Sequence, residues 1–140
     1  MANALFDTAR QAFLEGSINW IDGGTTIKAC LVDTGAYTPN LSSHQYLSAV
    51  SGASAIVTNG RSPAFSGRTS TGGAADANDI TFTSVSGASV EAIIIYIDSG
   101  VDATSQMIAY IDTATGLPIT PNGGDIIVTC DNGANKIFKL

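Results

Sequence analysis

Charge is scarce in this chain, and positive charge is scarcer still. Asp, Glu, Lys and Arg make up 13% of its 140 residues, about half the usual share. Six Lys and Arg stand against twelve Asp and Glu, a formal net charge of -6. So few scattered cations form no stripe that could neutralise phosphates, and no nucleic-acid partner is expected. Long apolar runs are missing as well. Asp7, Arg10 and Glu15 interrupt the N-terminal segment before it reaches signal-peptide or membrane-spanning length. No membrane partner is expected, and synthesis and residence in the cytoplasm is the default.

Groups that do chemistry are equally few. The single histidine, His44, lies between Ser43 and Gln45 with no Ser-His-Asp order or Cys-His spacing around it, and reads as a surface or cap residue. Cys30 and Cys130 each sit among apolar neighbours in an apparent strand, without the clustered partners zinc requires, so both read as free, buried thiols. The acidic groups Asp76 with Asp79, Asp98 with Asp102, and Asp112 follow no calcium-loop pattern and suit turns. Gly72-Gly73 and Gly123-Gly124 lack the lysine and the strand-to-helix setting of a phosphate loop. No cofactor and no metal is expected, and no acid, base and nucleophile converge as an enzyme would need.

What the chain has in abundance is strand-forming sequence. The runs Ala92 to Asp98, Met107 to Asp112 and Asp125 to Thr129 are β-branched and aromatic, and each ends in Gly, Pro, Asn or Asp. Ile93, Ile95 and Ile97 oppose Ala92, Ile94 and Tyr96, so this strand is apolar on both faces and needs cover on both. Earlier, Thr25 to Asp33 alternates Ile27, Ala29 and Leu31 against Lys28, Cys30 and Val32. Ile80, Phe82 and Val85 mark another strand, Asn132-Gly133 a tight hairpin, and Lys136 to Leu140 the closing strand. Eight or so short strands without βαβ alternation predict a mainly β domain, an antiparallel β-sandwich or barrel.

Two helices accompany the strands. Asn3 caps an N-terminal helix over 3–16, with Leu5, Phe6, Ala9, Ala12 and Phe13 on its apolar face and Gly16 as its stop. One short additional helix is expected from His44 to Ala49, with Tyr46, Leu47 and Val50 inward. The organisation is a single domain over 1–140: the helix, a β-rich core over 25–140, and a loose Ser/Gly/Ala-rich segment at 51–79 with edge strands near 54–59 and 64–71. That segment offers little to bury beyond Ile56, Val57 and Phe65, and it carries Arg61 and Arg68, so exposure or contact with a partner is expected there.

Several stretches are similar to a group of small virion proteins of tailed bacteriophages. They are Met1-Ala2-Asn3-Ala4-Leu5-Phe6-Asp7 with Phe13-Leu14-Glu15-Gly16, Ile27 to Thr34, Tyr110 to Pro118, and the ending Asp131 to Leu140. The similarity spans nearly the whole chain. It implies a structural protein, most like a capsid decoration (cement) protein, that binds the outer surface of the major capsid protein shell and stabilises it. Such a protein would be a homo-oligomer, a dimer or trimer, made in the host cytoplasm and resident on the capsid surface of the virion. In that role Leu5, Phe6 and Phe13 of the helix, with Arg61, Phe65 and Arg68 of the thin segment, are the expected partner-binding residues. The alternatives are a tail, neck or fibre component, or a host-surface carbohydrate-binding module with Tyr37 stacking on sugar.

Overall fold

A strand that is apolar on both faces can only be central, and the computed structural model places it there. The structure describes residues 3–140. Nine strands form: β1 (Ala4–Leu5), β2 (Ile27–Val32), β3 (Ile56–Arg61), β4 (Ala74–Ala75), β5 (Ile80–Phe82), β6 (Ala92–Ile97), β7 (Met107–Ile111), β8 (Ile126–Val128) and β9 (Phe138–Lys139). The helices are α1 (Asp7–Leu14) and α2 (Ser48–Ser51). Five strands join antiparallel in the order β1-β7-β6-β2-β3, while β4 pairs with β9 and β5 with β8. The fold is mainly β and sandwich-like, and no sheet closes into a barrel.

The two small sheets are halves of one broken ribbon. The chain runs from β4 almost directly into β5, and β8 leads through residues 131–136 into β9, so two antiparallel lengths lie side by side with an irregular insertion on one of them. Alternation puts Ala29, Leu31, Ile93 and Ile95 on the face of the large sheet that meets this ribbon, across from Ile80, Ile126 and Val128. Cys30, Ile94, Tyr96 and Tyr110 occupy the opposite face. That face is covered by residues 33–55, whose Tyr37, Leu47, Val50 and Ala55 are buried. Tyr37 lies within electrostatic reach of Tyr110 and Cys30.

Local structure departs from expectation in four places. Ala4 and Leu5 pair with Tyr110 and Ala109 as an edge strand, so the helix begins at Asp7, after Phe6, with no side-chain cap. Asn3 instead donates to the Thr113 carbonyl and accepts from the Asp112 and Thr113 amides, which ties the N-terminus to the end of β7. The second helix is later and shorter than His44 to Ala49, because Tyr46 is drawn into a bridge with Gln106; Tyr46 is half-exposed, while Leu47 and Val50 do point inward. Asn132-Gly133 makes no hairpin: the Gly133 amide donates to Asp131, and β8 and β9 take different partners.

The segment 51–79 is also better anchored than its composition indicates. β3 joins the large sheet, and Ala55, Val57, Ser62, Phe65, Ala74, Ala75 and Ala77 are all buried. Small side chains suffice because backbones approach closely: a Cβ at Gly60 would lie 2.7 Å from the Val57 carbonyl oxygen. Of the strands expected near 54–59 and 64–71, the first exists as β3, and the second is reduced to a single bridge between Thr69 and Asp76.

Ile94 is fully buried between its neighbours Cys30 and Tyr110 in the sheet. Ile94→Ala should lower the unfolding free energy by about 2–5 kcal/mol in urea denaturation. A loss below about 1 kcal/mol would show that this face is not a packed core.

Candidate functional site

The residues able to do acid–base or nucleophilic work are held in structural roles. The Tyr37 hydroxyl and the Asn40 amide both point at His44 Nδ1, at 2.8 and 3.3 Å. Because an amide can only donate, Nδ1 is the acceptor, and Tyr37 gives it the phenolic hydrogen. Burial pushes the Tyr37 phenol up to about 12, so it keeps that hydrogen. Cys30 and Cys130 are free and buried; burial pushes their thiols up to about 12 and about 11, away from the reactive thiolate. Among the described residues no three His, Cys, Asp or Glu side chains converge as a metal-binding group, and no helix is long and apolar enough to cross a membrane.

Two ion pairs lie at one end of the large sheet. Arg61 on β3 makes two parallel bonds to Asp102, 2.9 and 2.8 Å, and Lys28 Nζ on β2 lies 2.6 Å from Asp98. Both carboxylates belong to the turn between β6 and β7, so the two pairs clamp that turn onto the strands beside it. Their hydrogen-bonded cations hold both carboxyls below the usual range. Lys136 pairs with Asp76 at 3.5 Å, and Arg68 donates to the Asp22 carbonyl at 2.8 Å.

Of the residues expected to meet a partner, Leu5, Phe6 and Phe65 are buried inside this chain's own fold and are corrected to core residues. Strand β1 and the ribbon use them up: Leu5 sits opposite Ala109, and Phe65 packs edge-on against Trp20. Arg61 is exposed but committed to Asp102, and Arg68 is half-buried against Asp22. Phe13 remains half-exposed, its ring 6.0 Å from that of Phe138. Tyr37, 3% exposed, offers no face to a sugar.

The accessible apolar surface lies elsewhere. Ile21 and Leu140 are 54% and 62% exposed, and they line one hollow with the half-exposed rings of Phe13 and Phe138. Beneath them Trp20 stacks edge-on against Phe138 at 5.3 Å and donates its indole N–H to the Asp76 carbonyl, which makes a rigid floor. A hollow of about 360 Å³ opens here between the end of α1, residues 18–21 and the C-terminus. This apolar pole is the candidate contact surface. Of its residues Phe13 was marked by the helix period, while Ile21 and Leu140 meet only through the tertiary fold.

A second hollow of about 820 Å³ lies between the large sheet and the ribbon. A third, polar one of about 810 Å³ runs beside β3 past Ser51, Asn59, Thr81 and Thr83. Comparison with known proteins adds no relative: neither a protein-family model nor a curated protein matches the chain.

The paired carboxylates set a pH response. Asp98 and Asp102 have lower pKa values folded than unfolded, so they stabilise the fold above the unfolded value of about 3.9, and that share is lost as pH falls through the folded values. Partial exposure of all four side chains limits each pair to about 1 kcal/mol. Urea titrations from about pH 5 to about pH 2 should therefore show a shallower loss for the double variant Asp98→Asn, Asp102→Asn than for the unaltered protein. Equal slopes would mean that these pairs do not stabilise the native state.

Proposed function

We propose that this protein is a virion structural protein of a tailed bacteriophage, a decoration or cement protein that binds the outside of the shell built by the major capsid protein and stabilises it. The observation that carries this reading is the apolar pole of Phe13, Ile21, Phe138 and Leu140 on a chain short of charge. A contiguous exposed apolar patch with aromatic backing marks a protein-contact site. Four of the six cations, Lys28, Arg61, Arg68 and Lys136, bond carboxylates or carbonyls of the same chain, which leaves little positive charge to steer an anionic ligand. The similarity of the N-terminal, Tyr110 to Pro118 and C-terminal stretches to small phage virion proteins supports the same role. So does the extended β scaffold, since individually modest contacts gain strength when many copies repeat them over a lattice. Assembly as a dimer or trimer on the capsid surface belongs to this proposal.

Electron microscopy of phage particles made without this protein, compared with complete particles, tests it. The expected result is loss of an outer density on the shell and lower resistance to heat, both restored by adding the purified protein back. Ile21→Glu, at an exposed position lining the apolar hollow, should weaken that add-back by about tenfold. Shells unchanged in density and stability would end the cement reading, and loss of density on the tail would move the protein there.

A further inference from the structure

The ribbon has one satisfied long side and one open one. On the β4–β5 side, Asp76 bridges to Thr69, Ser86 bridges to Thr58, and the Asn59 side chain donates to the Ser84 carbonyl. On the other side β8 is hydrogen-bonded to β5 alone, with no further strand beside it among the described residues. The hollow of about 820 Å³ opens next to this free edge. Ile93 and Ile95 of β6 and Ile111 of β7 form its floor, and Leu117 and Ile119 stand at its rim. Ile111, Leu117, Ile119 and Ile126 are each left half-buried there. A row of unpaired main-chain groups beside an apolar trough is the pattern of a sheet that lacks a strand.

We infer that this trough receives an extended, uncharged peptide arm from the partner, which pairs with β8 and sets alternate apolar side chains into the hollow. The inference rests on the proposed function, with the shell protein as donor. The main-chain edge asks for an extended segment, and the floor of isoleucines asks for apolar residues at every second position. The wall offers no free cation to recruit an acidic segment, since Lys136 is paired with Asp76. The open edge of β8 is three residues long, which suits a single thin arm better than the edge of a second sandwich.

Hydrogen–deuterium exchange of the free and shell-bound protein tests the assignment. Backbone amides of 126–129 should exchange at least about tenfold more slowly on the shell. Leu117→Glu, at the half-buried rim, should still unfold cooperatively and bind shells about tenfold more weakly. Val101→Glu, exposed in the β6–β7 turn, should bind as the unaltered protein does. Unchanged exchange at 126–129, together with full shell binding by Leu117→Glu, would overturn the inference and leave the cement role standing. A dimer in light scattering that dissociates with Leu117→Glu would also overturn it, by giving the trough to a second copy. Failure of the unaltered protein to bind shells would remove both readings.

Discussion

Strand β6 has no polar face, and the rest of the architecture answers to that. Ala92, Ile94 and Tyr96 point one way and Ile93 and Ile95 the other, all of them nearly inaccessible to water. Each fully buried isoleucine is worth about 2 kcal/mol, so leaving either face open would cost more than a small domain has to spare. One face is sealed by residues 33–55, whose large side chains interlock with Tyr110 and Cys30. The other is covered by a ribbon of very short strands, broken by an irregular insertion at 131–136. Two covers of such different build leave one side of the sandwich tightly packed and the other with a trough.

Electrostatics serves the same end on a smaller scale. The turn joining β6 to β7 has to reverse the chain at the edge of the core, and Lys28 and Arg61 from the neighbouring strands hold its two aspartates. Within the turn, Ser105 is completely buried, and its hydroxyl bonds the Val101 carbonyl and the Ser99 amide, so a polar group inside the fold is fully satisfied. With Lys28 and Arg61 spent in this way, the surface keeps a negative balance from its scattered carboxylates, among neutral hydroxyls. Such a surface resists non-specific association and leaves the apolar regions as the places where a partner gains most.

The central strands were legible because their signal is local: β2, β6 and β7 lie within the runs that alternation marked, and the antiparallel sandwich follows from them. The N-terminal helix was legible in its apolar period and in its Gly16 stop, where φ is +74°. Its first turn was not, because β7 offers Ala4 and Leu5 a ladder that outweighs one more turn of helix. The same competition misplaced Tyr46. Phe6, read on the apolar face of the helix, and Phe65, read on the thin segment, both became core, Phe6 beside Ile108 and Phe65 against Trp20, which no window of sequence reveals. Of the contact surface only Phe13 was marked by local pattern. Ile21 and Leu140 are brought together by tertiary structure, as are the isoleucines lining the trough.

An open edge next to an apolar trough is a hazard for a free protein, since it invites pairing between copies. Several features blunt it here. β8 is only three residues long, Asp125 precedes it, and the chain's net charge of -6 opposes close approach of like molecules. The longer strands of the large sheet are interior or, in β3, bridged at their outer side through Thr58. The remaining outer strand, β1, has only two residues. The edge that stays available is thus three residues long, which limits how many main-chain bonds two free copies could exchange through it. A short edge beside an apolar trough favours one thin strand over another sandwich, a distinction that hydrophobicity alone could not make.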